Sequence, residues 1–119
     1  MAKMQTLTLN REFQVWFYAP SHSQLLLRSP KRNDGEKRVD ILFHGVQALD
    51  IKTTMAIVSI QEVDPTKLDS RSTIPSGFHR EVKTFFLRGD DWNGYVVAYG
   101  VSKMEDDLEL DDSSSFASV

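Results

Sequence analysis

The chain of 119 residues contains no cysteine. That excludes disulfides, thiolate metal sites and a cysteine nucleophile, so stability must come from a single hydrophobic core. Long apolar runs are missing too, so no helix of the length needed to cross a bilayer is written into the sequence. The opening residues, Met1-Ala2-Lys3-Met4-Gln5 and the alternating Thr6-Leu7-Thr8-Leu9, lack the continuous apolar region of a secretory signal. Together these absences lead us to expect a cytoplasmic protein that does not meet the membrane. A strong basic excess, the footprint of a dedicated nucleic-acid binder, is also lacking, since the net charge is −3.

What charge there is lies unevenly. Six of the 17 acids fall in residues 105–119, which hold no base, so residues 1–104 carry 14 bases against 11 acids. A mildly basic body is followed by an acidic, then serine-rich tail. We therefore expect a single β domain over residues 1–104 and a mobile tail over 105–119, free of fixed contacts from about residue 108, because such a segment buries too little to offset its ordering entropy.

Within the body the main signal is a period of two. Phe13, Val15 and Phe17 alternate with Gln14, Trp16 and Tyr18, and both faces are bulky, so this strand is expected to be covered on both sides. A four-residue hairpin loop leads to a second strand from Gln24 to Ser29. Further strands are expected at Arg38–His44, Val46–Ile51 (with a one-turn helix as the alternative), Met55–Val63, Glu81–Arg88 and Tyr95–Lys103, with Gly45 marking a bulge or bend. In the last strand Tyr95, Val97, Tyr99 and Val101 should share one face, and the small face Val96, Ala98, Gly100 and Ser102 the other. Asp64-Pro65 is a helix-start pair, so at most one short helix is expected over 64–69, followed by a loop through residue 78. Seven short strands joined by hairpin-length loops predict an all-β, mainly antiparallel barrel, roll or two-layer sandwich.

Chemistry-bearing residues are sparse. His22, His44 and His79 show no metal-ligand spacing, and Ser21-His22-Ser23 offers no third orienting group, so no catalytic residue, metal or cofactor is assigned. Asp90-Asp91-Trp92-Asn93-Gly94 is the most distinctive polar cluster. Its plainer reading is a tight turn with Trp92 as a core cap, and its functional reading an exposed anchor beside two acids. Arg28, Lys31, Arg32, Lys37 and Arg38 gather around one loop. They form either a solvated loop, a phosphate or nucleic-acid contact, or a dock for the protein's own acidic tail. Trp16, Tyr18, Tyr95 and Tyr99 are candidate stacking residues on strands, although aromatics in a small β domain are more often core.

The stretch Trp16-Phe17-Tyr18 and the run Ser21-His22-Ser23-Gln24-Leu25-Leu26-Leu27-Arg28-Ser29-Pro30 resemble small bacterial β-rich proteins. Ile41-Leu42-Phe43-x-Gly45-Val46 and Gly94-Tyr95-Val96-Val97 are similar to the same group, and all four together make up about a fifth of the chain. In size and β content that group is similar to the immunity proteins that neutralise bacterial toxins, a likeness of type that carries no catalytic residues over. It implies a non-enzymatic module that binds another protein. On that expectation the partner-binding residues are Asp90, Asp91, Trp92, Asp106 and Asp107. The alternative is a phosphate- or nucleic-acid-binding β domain using Arg28, Lys31, Arg32, Lys37 and Arg38. An open sheet edge would allow a homodimer in place of a monomer.

Overall fold

Alternating apolar side chains pay their way only when one face of a strand is covered, and the chain achieves this by curling its strands around a common core. A computed structural model describes residues 6–19, 21, 23–31, 35–64 and 82–112. They form eight strands: β1 (Thr6–Ala19), β2 (Gln24–Ser29), β3 (Arg38–His44), β4 (Ala48–Asp50), β5 (Thr54–Val63), β6 (Lys83–Arg88), β7 (Asn93–Ala98) and β8 (Gly100–Asp106). The fold is all-β, and every pair is antiparallel, in the order β4-β7-β6-β5-β1-β2-β3-β8. The helical turn expected at 64–69 and the loop to residue 78 lie outside the described residues.

The two ends of this order meet. β4 continues β3, and β8 continues β7. His44 pairs with Gly100 and Ala48 with Val97, while Tyr99 N–H donates to His44 O (3.0 Å) and Gln47 N–H to Val97 O (2.8 Å). The β3–β8 and β4–β7 ladders are thus one ladder with a register shift, and the sheet closes into a barrel of six strand paths. β1 changes neighbour halfway: Thr6 to Gln14 pairs with β5, and Gln14 to Ala19 with β2. Among the described residues, the side of Leu7–Glu12 facing away from β5 has no strand partner. Arg11 spans that gap, donating to Ser29 Oγ (3.0 Å) and Pro30 O (2.7 Å).

The interior holds Phe13, Leu25, Leu27, Val39, Ile41, Phe43, Met55, Ile57, Ile60, Phe85, Leu87, Val96, Ala98 and Val101. Phe43 and Phe85 meet edge to face at 5.6 Å between ring centres, a geometry favoured by the aromatic quadrupole. The strand expected at Tyr95–Lys103 is in fact two. Val96 and Ala98 point inward, but the next inward residue is Val101, so the faces swap at Tyr99. The cause lies opposite, at Gly45, whose φ of +66° lets the chain bend and whose missing Cβ makes room for the Tyr99 ring.

Double coverage also falls on different strands from those expected. The outer side of β1 stays open, with Trp16 and Tyr18 exposed. It is β2 and β3 that are buried on both faces, because Leu26, Arg28, Arg38, Asp40 and Leu42, which point away from the core, are buried as well. A second bulge decides where Trp16 goes. Val15 pairs with Leu27 but Phe17 with Leu26, which leaves Trp16 as the extra residue, turned out of the ladder.

Candidate functional site

Register brings opposite charges together on the outer face. Arg28 of β2 stands opposite Asp40 of β3, and Arg38, two residues before Asp40, stands opposite Asp106 of β8. Both pairs are bidentate. Arg28 donates through Nε and Nη2 to the Asp40 carboxylate at 2.8 and 3.0 Å, and Arg38 to that of Asp106 at 2.8 and 2.9 Å. This fork geometry is the strongest that a guanidinium makes with a carboxylate. Arg28 and Asp40 are wholly buried; Asp106 keeps a small exposed edge.

The remaining arginine edges hold the end of the described chain. Arg28 Nη1 donates to Leu110 O (2.7 Å) and Asp112 O (2.9 Å), and Arg38 Nη1 to Glu109 O (2.8 Å) and Asp112 O (2.9 Å). Residues 107–112 therefore form a strap across the two arginines, with the Asp112 carbonyl shared between them. The strap is also closed on itself: Asp112 N–H donates to Glu109 O (3.1 Å), Glu109 N–H to Asp112 Oδ2 (2.9 Å) and Leu108 N–H to Asp106 Oδ1 (3.1 Å). Lys31 Nζ holds its outer side through Asp107 O (3.2 Å) and Glu109 Oε1 (2.7 Å). The Glu109 hydrogen bond, and the charges of Glu109, Asp107 and Asp112, raise the Lys31 pKa above its ordinary 10.5, with partial desolvation opposing them. Trp16 completes the arrangement, its ring centre 4.8 Å from Arg28 Cζ, within reach of a cation–π contact.

No protein-family model, curated protein or solved structure matches the chain. The site is therefore read from its own geometry.

That geometry sorts the residues singled out from sequence. Arg28 and Arg38 are not solvated loop cations; they are buried and dock the tail, one of the three alternatives open from sequence. Lys31 and Lys37 remain partly exposed beside the strap, Lys37 at 3.9 Å from Asp107 Oδ2. Arg32, His22 and His79 lie outside the described residues. Asp106 is a ligand of Arg38, while the Asp107 side chain is 79% exposed. Residues 108–112, expected free of fixed contacts, are held by the bonds above, and β8 runs two residues past Met104. The part of the tail from 113 onward lies outside the described residues.

The Asp90-Asp91-Trp92 turn sits at the other end of the β7–β8 path, so the two acidic groups are not brought together. Trp92 is half-buried against the core, with its indole N–H donating to Ala56 O (2.8 Å) and Gly89 leaving room beneath it. It caps the barrel, while Asp90 and Asp91 stay exposed beside it. His44 is exposed with its ring over Gly100. Among the described residues no group of three or more His, Asp or Glu side chains is placed to hold a metal, and no helix is long and apolar enough to cross a membrane. Sequence reasoning missed Asp40 and Trp16 as members of the site. Asp40 carried a signal, since it interrupts an otherwise apolar strand two residues after an arginine.

Proposed function

We propose that the protein is a non-enzymatic protein-binding module whose contact surface is the acidic strap together with Trp16. The observation that carries this reading is their juxtaposition. Trp16 is 37% exposed and lies against Arg28, which itself holds the strap, and the strap turns the carboxylates of Asp107 and Glu109 outward. An aromatic anchor beside a fixed rim of acids suits a partner with a basic patch. Because the arginines already hold the strap's backbone, little further ordering is needed on binding, which favours affinity. The narrower form of this reading is an immunity protein in the cytoplasm that covers the basic active site of a bacterial toxin. Asp90 and Asp91 would then serve as a separate acidic patch, with Trp92 fixing their turn.

The test is capture by full-length protein from lysate of its native host, compared with a Trp16→Ala, Asp107→Asn, Glu109→Gln variant. A single protein retained by the parent and lost by a variant that still unfolds cooperatively supports the surface. Equal retention by both removes the strap from the contact, and retention of nucleic acid overturns the reading.

A further inference from the structure

We infer that Arg28 and Arg38 form an oxyanion site for inorganic phosphate or a phosphate-like group, which residues 107–112 cover as a displaceable strap. The first argument is the direction of the donors. Each arginine commits Nε and Nη2 to its own aspartate and directs Nη1 toward the strap, where the two Nη1 groups converge on a single oxygen, Asp112 O, each at 2.9 Å. Two guanidinium donors fixed on one oxygen position are the arrangement a phosphate oxygen needs, and the aspartates hold it ready without the strap. The occupant in this structure is a neutral carbonyl, a weaker acceptor than an anionic oxygen.

The second argument is charge. With the strap down, its acids Asp107, Glu109, Asp111 and Asp112 join Asp40 and Asp106, and carboxylates outnumber the bases Arg28, Lys31, Lys37 and Arg38. With the strap lifted, its four carboxylates leave, the aspartates Asp40 and Asp106 stay on their arginines, and Lys31 is released from Glu109. Opening the strap therefore takes four negative charges away from the arginines, so a closed strap disfavours an anion there and an open one admits it. The hold is modest enough to compete with. Among the described residues it rests on hydrogen bonds to carbonyls, an exposed lysine pair and a short self-closed turn, with the acidic side chains turned to solvent. This inference does not depend on the partner surface proposed above.

Hydrogen exchange of the Leu108, Glu109 and Asp112 amides in the full-length protein, followed by NMR, tests it. Sodium phosphate is titrated against sodium chloride at matched ionic strength. Phosphate is expected to speed exchange saturably and at least tenfold more than chloride. Asp112→Ala keeps the shared carbonyl but loses the carboxylate that closes the turn, and should reach half-saturation at no more than a tenth of the phosphate concentration. Arg38→Lys, if folded, should lose the phosphate-specific effect. Identical responses to phosphate and chloride in both the parent and Asp112→Ala would make the strap a fixed part of the fold and overturn the site. A phosphate effect that survives in folded Arg38→Lys would place the anion elsewhere and overturn it equally.

Discussion

Asp40→Ala is the substitution that most directly probes how the outer face of the barrel is held. Asp40 and Arg28 are both wholly buried, and the carboxylate accepts from Nε and Nη2 of Arg28 at 2.8 and 3.0 Å. Deleting it strands a buried guanidinium with two unsatisfied donors, which costs about 3–5 kcal/mol when one partner of a buried pair is removed. Against a total stability of about 5–15 kcal/mol for a domain of this kind, that is a large share. With a urea slope of about 2 kcal/mol/M, the midpoint should fall by about 2 M, with the slope itself unchanged. Removing both charges is a different matter. Arg28→Met with Asp40→Leu leaves no unpaired buried ion, and its main loss is the charged donor to Leu110 O and Asp112 O, about 1.5 kcal/mol for each bond at the low end for a charged group. The double variant should therefore be no less stable than Asp40→Ala, and more stable by up to about 2 kcal/mol, even though it carries one more substitution. Urea titrations followed by far-UV circular dichroism measure all three proteins. If Asp40→Ala costs less than about 1 kcal/mol, the pair is solvated and the burial argument is refuted.

Four further outcomes follow from the same geometry. The raised pKa of Lys31 means its bond to the strap contributes fully below pH 10.5 and is lost as pH rises through the higher folded value, so strap protection should fall in that alkaline window, as seen by pH-dependent exchange of Glu109. Gly45→Ala should destabilise the fold by about 2 kcal/mol or more, because a Cβ there would both strain a φ of +66° and collide with the Tyr99 ring; thermal melts check this. Trp92→Ala should cost about 2 kcal/mol through lost packing and the bond to Ala56 O, while weakening partner capture less than Trp16→Ala does, which a melt and the capture assay read separately. Trp16→Ala should cost only about 0.5–1 kcal/mol in a melt, since its ring is partly exposed and its contact with Arg28 is a cation–π one, yet abolish capture of the partner.

Much of the barrel was legible along the chain, because a period of two is a local property. Val39, Ile41 and Phe43 face the core as their alternation requires, and Gly45 marks a bend. The acidity of residues 105–112 was equally plain, and docking on the basic loop was among the readings it allowed. What alternation could not give was the face swap at Tyr99, since that depends on which residue lies across the ladder, and the partner is Gly45, in the bend between β3 and β4 some fifty residues earlier. Nor could it give the site. Arg28, Asp40, Arg38 and Asp106 are spread over nearly eighty residues, and their pairing exists only once the β2–β3 and β3–β8 registers are set. Local composition decided that the strands would form and that the tail would be acidic. Tertiary structure decided that two arginines would be buried, that a bulge would turn Trp16 out over one of them, and that the tail would lie across both, because charge pairing over a sheet is fixed by register and not by neighbourhood in sequence.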